Sequence, residues 1–223
     1  MIAMFGSIAL FAIEPGRVPS VTVVGKVRIE IPAEYVQMTV SIGGRAKDLD
    51  TARKDLEAAS EKVLAFVRAF GLANADIAVL NTMTTKKYGR EDSSLDVTAY
   101  EATRVFALTL RDVPRYLDFS SGLMKNGVMQ VLPPRLGSTQ EPKAREQAYV
   151  EAMKAARDKA ELLAKEAGAK LGKAILIDAH DSDYESLNYF ISNSSSASGT
   201  SAIDMKKVQV GAEVQVTYAL EWP

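Results

Sequence analysis

The stretch KAREQAYVEAMKAARDKAELLAKEAGAKLGKAILI, residues 143–177, decides how the chain is read. Ala144, Ala148, Ala152, Ala155, Ala156, Ala160, Leu163, Ala164 and Ala167 recur at steps of three and four, and most other positions are charged. That spacing is helical. Alanine has the best intrinsic helix propensity, and pairs such as Arg157–Glu161 and Glu161–Lys165 each add a few tenths of a kcal/mol, in round terms about 0.3. The pattern predicts a helix over about 141–167, stopped by Gly168, then a strand over 173–179. The apolar face is narrow and shallow, so a sheet or a second helix can approach its backbone closely. Two uses follow: the helix lies on its own sheet, or the face carrying Ala152, Ala156, Ala160 and Leu163 docks on another subunit. Neither is catalytic.

Working outward, VTVVGKVRIEI (21–31) and YVQMTVSIGG (35–44) alternate apolar and polar residues, and Pro32-Ala33 marks a reversal between them. The reading is an antiparallel hairpin with one solvated face. In DLDTARKDLEAASEKVLAFVRAFG (48–71) the period changes: Leu49, Ala52, Leu56, Ala59, Val63, Phe66 and Phe70 predict a helix, capped by Asp48 or Asp50 and stopped at Gly71. Residues 76–88 and 96–111 read as strands joined by a polar loop over 86–96, with Arg104 interrupting the apolar face of Tyr100, Ala102, Phe106, Leu108 and Leu110. A helix over 113–127, with Pro114 in its first turn, leads to a short strand at 128–134. After the long helix and its strand, 206–222 alternates without a slip from Val208 to Trp222. Between them, SNSSSASGTSA (192–202) reads as a flexible Ser-rich linker. The order is ββαββ-αβαββ, an α+β fold with antiparallel or mixed sheets and helices packed on one face. Residues 19–220 read as one large domain or as two intimately joined halves, about 19–112 and 113–220.

Composition narrows the function. With 223 residues, 47% of them hydrophobic, the chain can bury a full core. Its 27 basic and 28 acidic residues leave a net charge of −1. No basic stripe is interleaved with aromatics, so nucleic acid is not an expected partner. There is no cysteine, which excludes disulfides, thiolate metal sites and a cysteine nucleophile. Residues 1–18 form a leader or an N-terminal apolar segment. Its apolar run, Ile2 to Ile13, is shorter than the ~20 residues a spanning helix needs. It reads either as a secretory signal whose true start lies upstream or as a segment packed in the fold or in an oligomer. Any membrane association is expected through this segment alone.

The candidate chemistry is sparse. DAHDSDYES (178–186) gathers Asp178, His180, Asp181, Asp183 and Glu185, oxygen and imidazole ligands that a hard cation or a transition metal accepts. The spacing lacks the glycine and terminal glutamate of a calcium loop, and adjacent strand residues point in opposite directions. A solvated strand exit accounts for the cluster more cheaply, leaving His180, Asp181 and Asp183 as minor metal candidates. One histidine and a serine-rich linker cannot hold an attack geometry, no G-x-S-x-G elbow is present, and no glycine-rich phosphate loop occurs. No catalytic residue and no cofactor is expected. The eight methionines read as core filler or as sacrificial oxidant sinks. Tyr184, Tyr189 and Phe190 read as anchors for the linker or as a sticky surface for a partner.

The long helix also resembles the C-terminal signature of SIMPL-domain proteins: Ala156, Lys159, Ala160, Glu161, Leu163 and Ala164, followed by Gly168, Leu171 and Gly172. Val21, Thr22, Val23 and Gly25, then Pro32, Asp76, Ile77, Tyr100, Ala102, Arg111 and Asp112 are similar in order and spacing, so the likeness runs over about 19–220. The imperfect leader and the insertion at 192–202 depart from the pattern. The resemblance implies an exported bacterial protein of the periplasm or cell envelope, without established catalytic residues. It further implies ring-like homo-oligomers, immunogenic envelope antigens and oxidative-stress tolerance. Together the residues and the resemblance lead to a non-enzymatic protein that works by self-assembly or by binding a protein partner. The alternative is a stress protein that binds a metal or small ligand at 178–185.

Overall fold

The computed structural model describes residues 18–88, 97–181 and 207–222. The apolar segment before residue 18, most of the loop over 86–96, the linker at 192–202, Asp183, Glu185, and the aromatics at 184, 189 and 190 lie outside the described residues. The fold is α+β. The strands are β1 (Ser20–Pro32), β2 (Tyr35–Ala46), β3 (Ile77–Tyr88), β4 (Val97–Leu110), β5 (Gln130–Val131), β6 (Arg135–Gly137), β7 (Lys170–Asp181) and β8 (Lys207–Glu221). The helices are α1 (Leu49–Phe70), α2 (Tyr116–Lys125) and α3 (Glu141–Glu166). The expected order is present with one addition, the three-residue β6.

The chain forms two compact units. One comprises described residues 18–27, 149–181 and 212–222; the other comprises 28–148 and 207–211. The boundaries fall inside β1, α3 and β8.

In the larger unit the sheet order is β3-β4-β2-β5, with β6 also pairing β2. Val36, Met38, Val40 and Ile42 of β2 and Ala102, Phe106, Leu108 and Leu110 of β4 are buried on one face. Against them pack Ala52, Leu56, Val63 and Val67 of α1, and Phe119 and Leu123 of α2 complete the cluster. Gly44 lets α1 come close: a methyl there would lie 2.5 Å from the Ala52 carbonyl oxygen. Asp48 caps α1 through a 2.8 Å bond from the Thr51 amide. At the other end, Gly71 takes a left-handed φ of 110° and donates to the Arg68 carbonyl.

The polar interruption at Arg104 has a structural cause. Its guanidinium donates to both oxygens of Glu57, at 3.0 and 2.7 Å, and at 2.8 Å to Ser60 Oγ on the buried ridge of α1. Ser60 in turn donates to the Leu56 carbonyl. The buried hydroxyl therefore has both a donor and an acceptor.

The expected hairpin of 21–31 with 35–44 is not formed. β1 pairs with β8 in a three-stranded sheet of order β1-β8-β7, while β2 pairs with β4, β5 and β6. Both strands have one buried face, which their alternation revealed, but alternation does not choose a hydrogen-bonding neighbour. The turn between them is held elsewhere: the Glu34 amide donates to the Gly137 carbonyl at 2.9 Å. The Glu34 carboxylate accepts from Thr139 Oγ1 at 2.6 Å, the Thr139 amide at 2.7 Å and Gln140 Nε2 at 3.2 Å.

In the smaller unit, Val23, Val214, Val216 and Tyr218 are buried together with Ala152, Ala156, Ala160 and Ala164 of α3. The helix rests on β1 at Gly25, where an added methyl would lie 2.0 Å from the Ala152 carbonyl oxygen. α3 ends as its sequence predicts. Gly168 has φ 75° and the Ala169 amide reaches back to the Ala164 carbonyl at 2.9 Å.

Candidate functional site

Three features stand out as candidate sites for chemistry or binding: the acidic strand exit, a cleft at the end of β4, and the outer strands of the two sheets.

Asp178 and His180 lie two residues apart on β7, with His180 Nε2 3.1 Å from Asp178 Oδ1 and both side chains exposed. Among the described residues no group of three ligating side chains is placed to hold a metal ion. The pair stands without a third ligand there, and Asp183 lies outside the described residues. Asp181 is the last residue of β7.

The cleft belongs to the larger unit, has a volume of about 270 Å³ and is lined by Phe70, Leu72, Asp76, Thr109, Arg111 and Arg115, among others. Three of its charged groups, Asp76, Arg111 and Arg115, are already engaged. Arg111 grips the buried Asp76 carboxylate with two bonds, 3.1 Å from Nε and 2.7 Å from Nη2. The Asp76 carboxylate holds the Arg111 guanidinium above its usual range. Arg115 lies over the Phe70 ring, 4.0 Å from its centroid, a cation–π contact. No imidazole lines the cleft, and its one hydroxyl is that of Thr109. The ion pair ties the end of β4 to the turn before β3, and Arg115 over Phe70 ties the start of α2 to the end of α1. The RDVPR run at 111–115 was legible as a helix start, but its partner Asp76 is far away in sequence.

The four residues expected on a packing face separate. Ala152, Ala156 and Ala160 are fully buried, whereas Leu163 is 46% exposed. The buried row advances strictly by four residues from Ala144 to Ala164, and such a row forms one ridge of a helix. Leu163 sits three residues after Ala160 and falls beside that ridge.

The outer strands are the feature that composition did not announce. β7 has a hydrogen-bonded neighbour on one side only among the described residues, namely β8. Its consecutive Ile175, Leu176 and Ile177 are 53%, 60% and 54% exposed, so both faces of the strand are open. β3 is the outer strand of the other sheet, paired only with β4 among the described residues. Val79, Leu80 and Met83 are likewise exposed on it. Long, apolar, one-sided strands are surfaces that folded proteins normally cover or blunt.

Set beside known proteins, residues 21–218 match the family model described as SIMPL, protein of unknown function (DUF541). The chain belongs to the SIMPL family. Among SIMPL relatives, it is 22% identical over 206 residues to the uncharacterized protein YggE of Escherichia coli (strain K12), a match covering 91% of this chain and 84% of that one. The uncharacterized YggE of Edwardsiella ictaluri (strain 93-146) is 24% identical over 168 residues, covering 75% and 70% of the two chains. A crystal structure of AtUAH in complex with (S)-hydroxyglycine aligns with a TM-score of 0.25 at 13% identity, over 58% of this chain and 34% of that one. A score so low carries no argument about this SIMPL protein. The family is one of uncharacterized function, and the relatives named add no catalytic residue.

Proposed function

We propose that this SIMPL protein is a non-enzymatic component of the bacterial periplasm or cell envelope that acts through homo-oligomeric assembly, presenting a built surface to a protein partner. The observation that carries the reading is the pair of outer strands, β3 and β7, each 12 residues long and open on both faces. Apolar side chains facing water on both sides of an outer strand cost free energy in a monomer, and a second polypeptide that packs on a face or pairs along the edge lowers that cost. The envelope location rests on the family resemblance. So does a connection to oxidative stress, for which the exposed thioethers of Met83, Met124 and Met129 give a chemical basis, since they meet oxidants before the core does.

Light scattering on the full chain at micromolar concentration tests the assembly. A discrete mass at a whole multiple of 24.1 kDa is expected. A strict monomer over that range would sink the reading.

A further inference from the structure

We propose that Lys159 closes the free edge of β1, so that the sheet β1-β8-β7 is open to another chain along β7 and not along β1. The inference adds a guarded edge to the assembly reading above and does not depend on it, because the two can fail separately.

β1 is an outer strand too, bonded to β8 and to no other strand of its sheet among the described residues. Which of its backbone groups face outward follows from the register. Thr22 Oγ1 lies 2.9 Å from Thr217 Oγ1, Lys26 Nζ lies 2.8 Å from Glu213, and Gln209 Nε2 lies 3.5 Å from Glu30. Each advance of four residues on β1 is a retreat of four on β8, so the pair is antiparallel and Pro19 stands across from Leu220. The Leu220 amide donates to the Pro19 carbonyl at 2.8 Å. In an antiparallel pair, residues that bond across alternate with residues whose N–H and C=O point the other way. Pro19 bonds towards β8, and so do Val21, Val23 and Gly25. Thr22, Val24 and Lys26 therefore turn their backbone groups to the free edge.

The Val24 carbonyl on that edge is taken: Lys159 Nζ donates to it at 2.8 Å. The reach is a consequence of packing. α3 comes down on β1 where Gly25 has no side chain, with Ala156 and Ala160 fully buried along its ridge. Lys159 falls beside that ridge, and its four-carbon stem carries the ammonium group to the strand edge. A second strand laid along β1 needs the Val24 carbonyl as an acceptor. It would have to displace the ammonium group or bury it without a partner, and an unpaired buried charge is costly. Lysine at a sheet edge is one of the devices by which folded proteins keep strands from pairing with other chains. The same helix leaves β7 bare, since Ile175, Leu176 and Ile177 all remain more than half exposed.

Lys159→Met tests the guard, because it keeps the stem and the helix propensity while removing charge and donor. In light scattering it should show species above the wild-type mass, roughly doubling the average at concentrations where the wild type holds its own. Lys159→Arg, which keeps both charge and donors, should behave as wild type. The Val24 N–H faces the free edge, so proline is tolerated there and denies an incoming strand its donor. Adding Val24→Pro to Lys159→Met should accordingly return the wild-type mass. Extra mass that survives Val24→Pro, or that appears equally in Lys159→Arg, arises elsewhere and sinks the inference. So does a Lys159→Met variant whose mass equals the wild type's throughout, and the assembly reading then stands or falls on the wild-type mass alone. A monomeric wild type whose Lys159→Met variant associates, and returns to monomer with Val24→Pro, removes the assembly reading and keeps the guard.

Discussion

Gly25 occupies a position with no room for a side chain. A methyl group there would lie 2.0 Å from the carbonyl oxygen of Ala152 and 2.8 Å from the amide nitrogen of Ala156. Both neighbours are helix backbone and cannot rotate away. Gly25→Ala must therefore push α3 off β1, and we expect a loss of about 2 kcal/mol or more in urea unfolding; a stability within error of wild type would contradict the close approach. The buried side of the contact is as strict. Ala156→Glu or Ala160→Glu forces a carboxylate into a fully buried position without a partner, which should cost about 4 kcal/mol or more and leave little folded protein by circular dichroism. Sequence reading reached these residues because alanine at helical spacing announces a close-packed face. It did not reach Ser60, which sits on the buried ridge of α1 because Arg104 and the Leu56 carbonyl complete its hydrogen bonds. Such a partner is 44 residues away and has no local signal.

At the scale of elements, the start of α3 is fixed by charges and caps acting together. Ser138 and Glu141 cap it from both sides: the Ser138 amide donates to Glu141 Oε1 at 2.9 Å, the Gln140 amide donates to Ser138 Oγ at 3.3 Å, and Arg135 donates to Glu141 Oε2 at 3.0 Å. Beside them, the turn between β1 and β2 is clamped by Glu34. The Thr139 hydroxyl, then the Thr139 amide and Gln140 Nε2, hold its carboxyl down to about 2 from an ordinary value of 4.5. Because the folded state lowers this value, the stabilisation is complete above the unfolded value and is lost as pH falls from about 5 towards 2. Glu34→Gln should accordingly flatten the fall of the urea midpoint across that window while changing little in the shape of the curve above pH 6. An unchanged acid limb would show that the clamp does not contribute. Helix ends and strand faces were legible: Asp48 caps, Gly71 and Gly168 stop, and β8 buries its Val208-to-Tyr218 face as its alternation implies. The pairing of β1 was not. Period-two alternation shows that one face is covered, but the neighbour that bonds to the strand edge, here β8 at the far end of the chain, is chosen by tertiary fit.

For the whole molecule, the question is what covers strands that the chain leaves open. Ile175, Leu176 and Ile177 read in sequence as any apolar strand would, and nothing local distinguishes a run destined for the core from one destined for an interface. Only the fold shows that both faces of β7 stay outside. The candidate site, in consequence, was the part least legible from sequence, because exposure belongs to the assembled sheet rather than to the segment. The most direct measurement is hydrogen–deuterium exchange over residues 170–181 of the wild-type chain at two concentrations, one well above and one well below the assembly midpoint. Amides along the outer edge of β7 are expected to be protected in the concentrated sample and to exchange freely on dilution. Rapid exchange of those amides at both concentrations would contradict assembly through β7.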